Sequence, residues 1–291
     1  MDLLNRGLQD DDLPALFTAA DTASMHGQRE YVHGVRLRLL LAVVAAGLAL
    51  VTWKTAAVAV AVVFAAMLLI DLRLRARRPE EVWYDGRAVA ESAKSLAWRY
   101  SVAGLPFAIG DEVEVERRFV GESERLLGDV QTREVVGAAR SEVTEAMRGL
   151  RGSDLEVRRA AYLAGRVGAQ RDWYASRAAL NEARARWWRA ALVGVEVVGV
   201  LVALGRVAGI LDIDLAGVLA TMVAAGAAWS GTRQHSTLAR AYTFAAEELV
   251  IARGRLAAVA DEESWAREVN DAEEAVSREH TMWRASRSGT W

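Results

Sequence analysis

The chain has 291 residues, with 36 basic against 38 acidic side chains for a net charge of −2, and it contains no cysteine. Disulfides, thiolate metal sites and a cysteine nucleophile are therefore excluded, and the charge balance gives no electrostatic drive toward nucleic acid as a partner. It is 53% hydrophobic and 25% charged at once, which implies apolar blocks set in a charged chain.

Only Pro14, Pro79 and Pro106 interrupt a sequence rich in Ala, Leu, Arg and Glu, so long helices are expected. Residues 1–30 are polar and acidic, with Asp10, Asp11 and Asp12 in succession. This is not the basic start of a cleavable signal, and the first apolar block is expected to be an uncleaved anchor. Leu37 to Ile70 is apolar apart from Arg38 and Thr52-Trp53-Lys54-Thr55. As one helix it would be about 50 Å long, against a hydrocarbon core of roughly 30 Å. Two short spans, about 37–53 and 55–70, turning at Trp53-Lys54, fit better; Trp and Lys suit the interface. Pro79 then breaks the chain. Helices are expected over Glu80 to Ala103, 111–126 and 129–150, and no segment reads convincingly as a strand.

In the second half, Ser153-Asp154-Leu155-Glu156 reads as a capping box with Ser153 as N-cap. Tyr162, Ala169, Trp173, Leu180 and Trp187 then recur at helical spacing, predicting one amphipathic helix that runs into a third span, about 190–205. Arg206 to Asp214 connects it to a fourth, about 215–230. Beyond that, Ala245, Leu249, Ala252, Leu256 and Val259 form an apolar seam. The alternative for each short hairpin is a buried pair of soluble core helices.

Flanking charge sets the orientation. Arg36 and Arg38 precede the first span, Arg73, Arg75, Arg77 and Arg78 follow the second, Arg184, Arg186 and Arg189 precede the third, and Arg233 follows the fourth. Of basic residues the tips carry only Lys54 and Arg206. The positive-inside rule puts the tips outside and both termini in the cytosol, in a cell inner membrane. The expected fold is thus an all-α membrane protein: two transmembrane helical hairpins, four spans in all, with long cytosolic helices packed as a bundle. Two units are expected, 1–150 and 151–291, each with one hairpin. Small residues recur along single faces, Ala57, Ala61 and Ala65 in one span and Gly217, Thr221 and Ala225 in another. Such rows let helices approach closely in lipid, which favours a homo-oligomer.

No phosphate-cradling loop, HExxH or nucleophile elbow is present, and no two of the four histidines stand at ligand spacing on a helix, so no catalytic residue, metal site or cofactor is expected. Glu279-His280, with Glu273 and Ser277 on the preceding turn, is the one cluster resembling enzyme chemistry; a polar network between packed cytosolic helices explains it as well. Glu91 and Glu247 follow the cytosolic ends of the hairpins and are expected in that network, or paired with Arg87 and Arg240. Glu196 stands apart, near the middle of the third span, where an ionised residue costs roughly 2.5–3.5 kcal/mol. It is either protonated, hydrogen-bonded to another helix, or facing water in an oligomeric lumen.

Several segments resemble the SLATT family, the SMODS- and SLOG-associating two-transmembrane effectors. Ala20 to Tyr31 is similar to the opening of one subtype. Trp83-Tyr84-Asp85-Gly86-Arg87, Ala90 to Lys94, Trp98-Arg99-Tyr100 and Pro106-Phe107 resemble the stretch after its hairpin. Gln170 to Tyr174, Ala245 to Leu249 and Glu273 to Thr281 are similar to a second subtype, so the chain reads as a tandem pair. The resemblance implies a membrane effector of bacterial immunity that harms the infected cell by forming pores. It also implies a nucleotide-second-messenger synthetase or nucleotide sensor as a separate partner that supplies the trigger. It supplies no catalytic residues. A non-conducting scaffold that recruits a cytosolic partner is the competing expectation.

Overall fold

The structure, a computed structural model, describes residues 7–128, 142–211 and 215–288; among them it contains helices and no strand. The helices are α1 (Ala15–Leu48), α2 (Lys54–Arg77), α3 (Pro79–Ser101), α4 (Glu112–Gly128), α5 (Glu145–Arg151), α6 (Leu155–Tyr162), α7 (Ala169–Val207), α8 (Ala216–Arg233), α9 (His235–Ala258) and α10 (Glu262–Ser288). Three helical stretches are long and apolar enough to cross a membrane: Ala15–Leu48, Lys54–Ser101 and Leu155–Val207. The 18-residue α8 is not among them.

Local chemistry accounts for most boundaries. The break expected at Trp53-Lys54 lies just before it: α1 ends at Leu48, Val51 N–H donates back to Leu48 O at 3.1 Å, and extended Trp53 leads into α2. Arg78 closes α2 in the left-handed conformation (φ 44°), and Pro79 opens α3, where its missing N–H costs nothing. Asp111 caps α4, its Oδ1 accepting from Val113 N–H at 2.9 Å and Glu114 N–H at 3.2 Å. Of the helix expected over 129–150, residues 129–141 lie outside the described residues; Thr144 caps α5, accepting from Met147 N–H. The capping box at Ser153 is corrected. Ser153 N–H and Oγ both donate backward, to Leu150 O and Gly149 O, so Ser153 finishes α5 and Asp154 becomes the N-cap of α6.

The helix predicted to continue from there does so, but not in a single register. Leu163–Gly168 is a π-helical stretch between α6 and α7. Its wider turn inserts one residue into the helical repeat. Of the face expected through Ala169, Trp173, Leu180 and Trp187, Trp173 packs half-buried against the core and the rest is displaced by one position. Tyr174, Ala178 and Asn181 are buried, whereas Ala169, Leu180 and Trp187 are exposed.

Contacts divide the chain into two units. The first comprises Met1–Gln28, Glu80–Arg177 and Ala241–Trp291. Its core is built from both halves of the sequence: Trp98, Tyr100, Phe107 and Phe119 pack with Met147, Tyr162, Leu256 and Trp265. The expected seam is inside it, with Ala245, Leu249, Ala252 and Leu256 all buried. The unit also buries a series of arginines. Arg151 donates to the carbonyls of Tyr100, Phe107 and Ala108, and Arg158 to those of Ser153 and Val102. Trp265 Nε1 donates to the same Val102 carbonyl at 2.7 Å. Of these acceptors, Tyr100 and Val102 lie at the C-terminal end of α3, where the last carbonyls have no partner within the helix, and Phe107 and Ala108 lie in the loop that follows.

The second unit comprises Arg29–Pro79 and Ala178–Arg240. In it α1 packs on α2: Arg73 and Arg77 meet Glu30 at 3.1 and 3.4 Å, and Arg38 meets Asp71 at 2.8 Å. α7 packs on α8, where a side chain at Gly226 would meet Leu192. The outer faces are apolar. Val58, Val62, Phe64, Leu68 and Leu69 of α2, and Val193, Val197, Val200, Leu201 and Leu204 of α7, are each more than half exposed. A continuous apolar surface of this kind is the mark of contact with lipid or another chain.

Candidate functional site

The first unit centres its polar chemistry on Glu273, which is 0% exposed on α10. Arg166, in the π stretch, meets it through two bonds, Nε to Oε1 at 2.9 Å and Nη2 to Oε2 at 2.7 Å. Tyr162 OH donates to Oε1 at 2.8 Å and Ser95 Oγ to Oε2 at 2.7 Å. Burial by itself would raise the Glu273 pKa; Arg166, Ser95 and Tyr162 together outweigh it and hold the carboxyl below its ordinary 4.5. Burial pushes Tyr162 well above the ordinary phenol value, and Glu273 pushes it further. The pair is therefore charged on both sides and Tyr162 stays protonated. No member titrates near neutral pH, so the node is built for rigid positioning rather than proton transfer.

A cavity of about 290 Å³ adjoins this node in the same unit. Arg87, Lys94 and Arg166 line it, and so do Asp10, Asp21 and Glu91. Glu91 holds Arg87 at 2.8 Å and Asp10 holds Lys94 at 2.8 Å. Two rings complete the wall: the Arg87 guanidinium lies 5.8 Å from the Trp173 ring and the Lys94 ammonium 5.2 Å from Phe17. Burial pushes the Asp21 carboxyl up, against the pull of Arg87. The lining is thus charge-balanced and amphipathic.

The structure scatters the residues singled out from sequence. Glu273 is the centre of the network and Glu91 lines the adjoining cavity. Glu247 is exposed on α9, outside the node. The side chains of Ser277, Glu279 and His280 lie outside the described residues. The partners that sequence reasoning missed are Ser95, Tyr162 and Arg166. Arg166 follows Tyr162 by one helical turn on an apolar face, which is the local signal that a buried acid awaited it.

Glu196 lies on α7 in the second unit and is exposed, flanked by exposed Val193, Val197 and Val200. Among the described residues it forms no hydrogen bond or ion pair. The row Ala57, Ala61 and Ala65 is likewise exposed along α2.

Residues 14–159 match the family described as SMODS and SLOG-associating 2TM effector domain 3, and residues 162–283 match SMODS and SLOG-associating 2TM effector domain 1. No curated protein and no solved structure matches the chain.

Proposed function

Since the chain belongs to the SMODS and SLOG-associating two-transmembrane (SLATT) effector family, we propose that it is the membrane effector of a bacterial anti-phage or conflict system. It assembles as a homo-oligomer in the inner membrane and opens a pore, or otherwise breaches the bilayer, when a separate nucleotide-signalling partner triggers it. It has no enzymatic role. In this reading the two family segments form a tandem pair, 1–150 and 151–291. Four spans cross the bilayer as two hairpins, with both termini and the first unit in the cytosol.

One observation carries the assembly step. Glu196 is exposed on an apolar stretch of α7, with no partner among the described residues. In lipid an outward carboxylate is costly, by roughly 2.5–3.5 kcal/mol at a span centre. A ring of copies around a water-filled lumen removes that cost and leaves a row of negative charge favouring cations. The exposed row Ala57, Ala61 and Ala65 offers a close-packing surface for a neighbouring copy.

The test is assembly and conductance of the purified protein. The expected result is one discrete oligomer in mild detergent and in nanodiscs, with cation-preferring currents in planar bilayers. A strictly monomeric particle in both media, with silent bilayers, overturns the reading.

A further inference from the structure

The second unit contains a second cavity, of about 430 Å³, and its chemistry is unlike that of the first. Four arginines line it: Arg29 and Arg36 from α1, Arg184 from α7 and Arg233 from α8. No acidic side chain lines it. Elsewhere in the same unit several arginines are matched with acids, Arg73 and Arg77 with Glu30, Arg38 with Asp71, and Arg186 with Glu182. Arg29, Arg36 and Arg184 have no acidic partner among the described residues.

The positive-inside rule asks for arginines on one side of a membrane; it does not ask that they converge. Here three segments far apart in sequence bring four guanidinium groups around one space. Two of these arginines act on a buried neighbour. His235 is 5% exposed, with its Nδ1 2.7 Å from Asn181 Oδ1. Burial first, and then Arg233 and Arg184, hold its pKa below the ordinary value. Such an arrangement is favourable when an anion with several acceptor oxygens enters, because guanidinium groups match phosphate in geometry and charge.

Two further features indicate how that anion arrives. Trp188 and Trp229 form part of the wall, and the Arg233 guanidinium lies 5.8 Å from the Trp229 ring. Indoles of this kind sit at the headgroup level of a bilayer. On α1, directly beyond Arg36, Leu37, Leu40 and Val44 are exposed and apolar, suited to acyl chains. The volume also exceeds that of one phosphate and leaves room for a glycerol backbone.

We propose that this cavity is a phosphate site, occupied by the headgroup of an anionic phospholipid at the cytosolic surface. Basic pockets among membrane helices recognise anionic headgroups on these terms. The inference rests on the second unit's being embedded in a bilayer, but not on conduction; a silent channel that binds lipid would separate the two.

The experiment uses the full chain. Wild type, Arg36→Gln/Arg184→Gln and Arg75→Gln/Arg189→Gln are compared, the last pair being exposed arginines that do not line the cavity. Native mass spectrometry and thermal denaturation in detergent are read with added phosphatidylglycerol, phosphatidylcholine or inorganic phosphate. The expected result is retention of phosphatidylglycerol over phosphatidylcholine and a rise in Tm. Both are lost at least tenfold, in lipid concentration, by the cavity variant, while the control variant keeps them. Arg36 and Arg184 are exposed, so circular dichroism of the cavity variant should match wild type. Stabilisation by inorganic phosphate without lipid preference keeps the phosphate site and makes its source a soluble one. A lipid preference that the cavity and control variants lose equally, or no response to any phosphate, overturns the proposal.

Discussion

The Ser95 hydroxyl donates to the Glu273 carboxylate at 2.7 Å across 178 residues. It ties the first family segment to the second through a charge that does not meet water. Tyr162 and Arg166 bind the same carboxylate, so one side chain gathers α3, α6 and the π stretch onto α10. Stability of the first unit should therefore depend on this node more than on any surface ion pair.

Removing one partner makes that dependence measurable. Arg166→Met leaves a buried carboxylate without its counter-charge, and the expected cost is about 3–5 kcal/mol. The double variant Arg166→Met with Glu273→Leu should recover part of it, because no charge is then stranded. Ser95→Ala should cost about 1 kcal/mol. Thermal denaturation in detergent compares the three, and an unchanged Tm for Arg166→Met would remove the pair from the account.

Acid should act through the same carboxyl. Folding holds Glu273 below its ordinary 4.5. Its contribution is therefore fully present above that value and is lost as pH falls below it, through the depressed folded value. Wild type should lose stability in that range more steeply than Glu273→Gln, which has no charge to titrate. Parallel Tm profiles for the two proteins between neutral pH and pH 3 would contradict this.

Glu196 separates a lumen charge from structural glue. Glu196→Gln keeps shape and hydrogen bonding but deletes the charge; Glu196→Leu deletes both. A lumen charge loses cation conductance in both variants and keeps the oligomer in both. Glue between copies loses the oligomer with Leu and tolerates Gln. The outward position of Glu196 in the single chain leads us to expect the first pattern, read by bilayer currents beside particle size. Unchanged currents in both variants would exclude Glu196 from the mechanism.

Topology is open to a clean test because the chain has no cysteine. Single cysteines at Lys54 and at Gly209, which sits at φ 71° in an exposed turn, should react with an impermeant reagent on intact spheroplasts. A reporter fused after Trp291 should be active in the cytosol. Labelling that requires permeabilised membranes would refute the two-hairpin arrangement.

What the sequence determined by itself was set by local properties. Apolar length against bilayer thickness located the break between α1 and α2, Pro79 marked the start of α3, and a repeat of threes and fours revealed the buried seam from Ala245 to Leu256. Tertiary structure decided the rest. The π stretch at Leu163–Gly168 shifted the inward face of α7 by one residue beyond Trp173, from Leu180 to Asn181, because packing selects a register that a helical repeat alone leaves free. The partners of Glu273 and the convergence of Arg36, Arg184 and Arg233 on one cavity were likewise invisible in one dimension. Both depend on which distant helices meet, and a charge's place in the chain does not say what it will face once those helices pack.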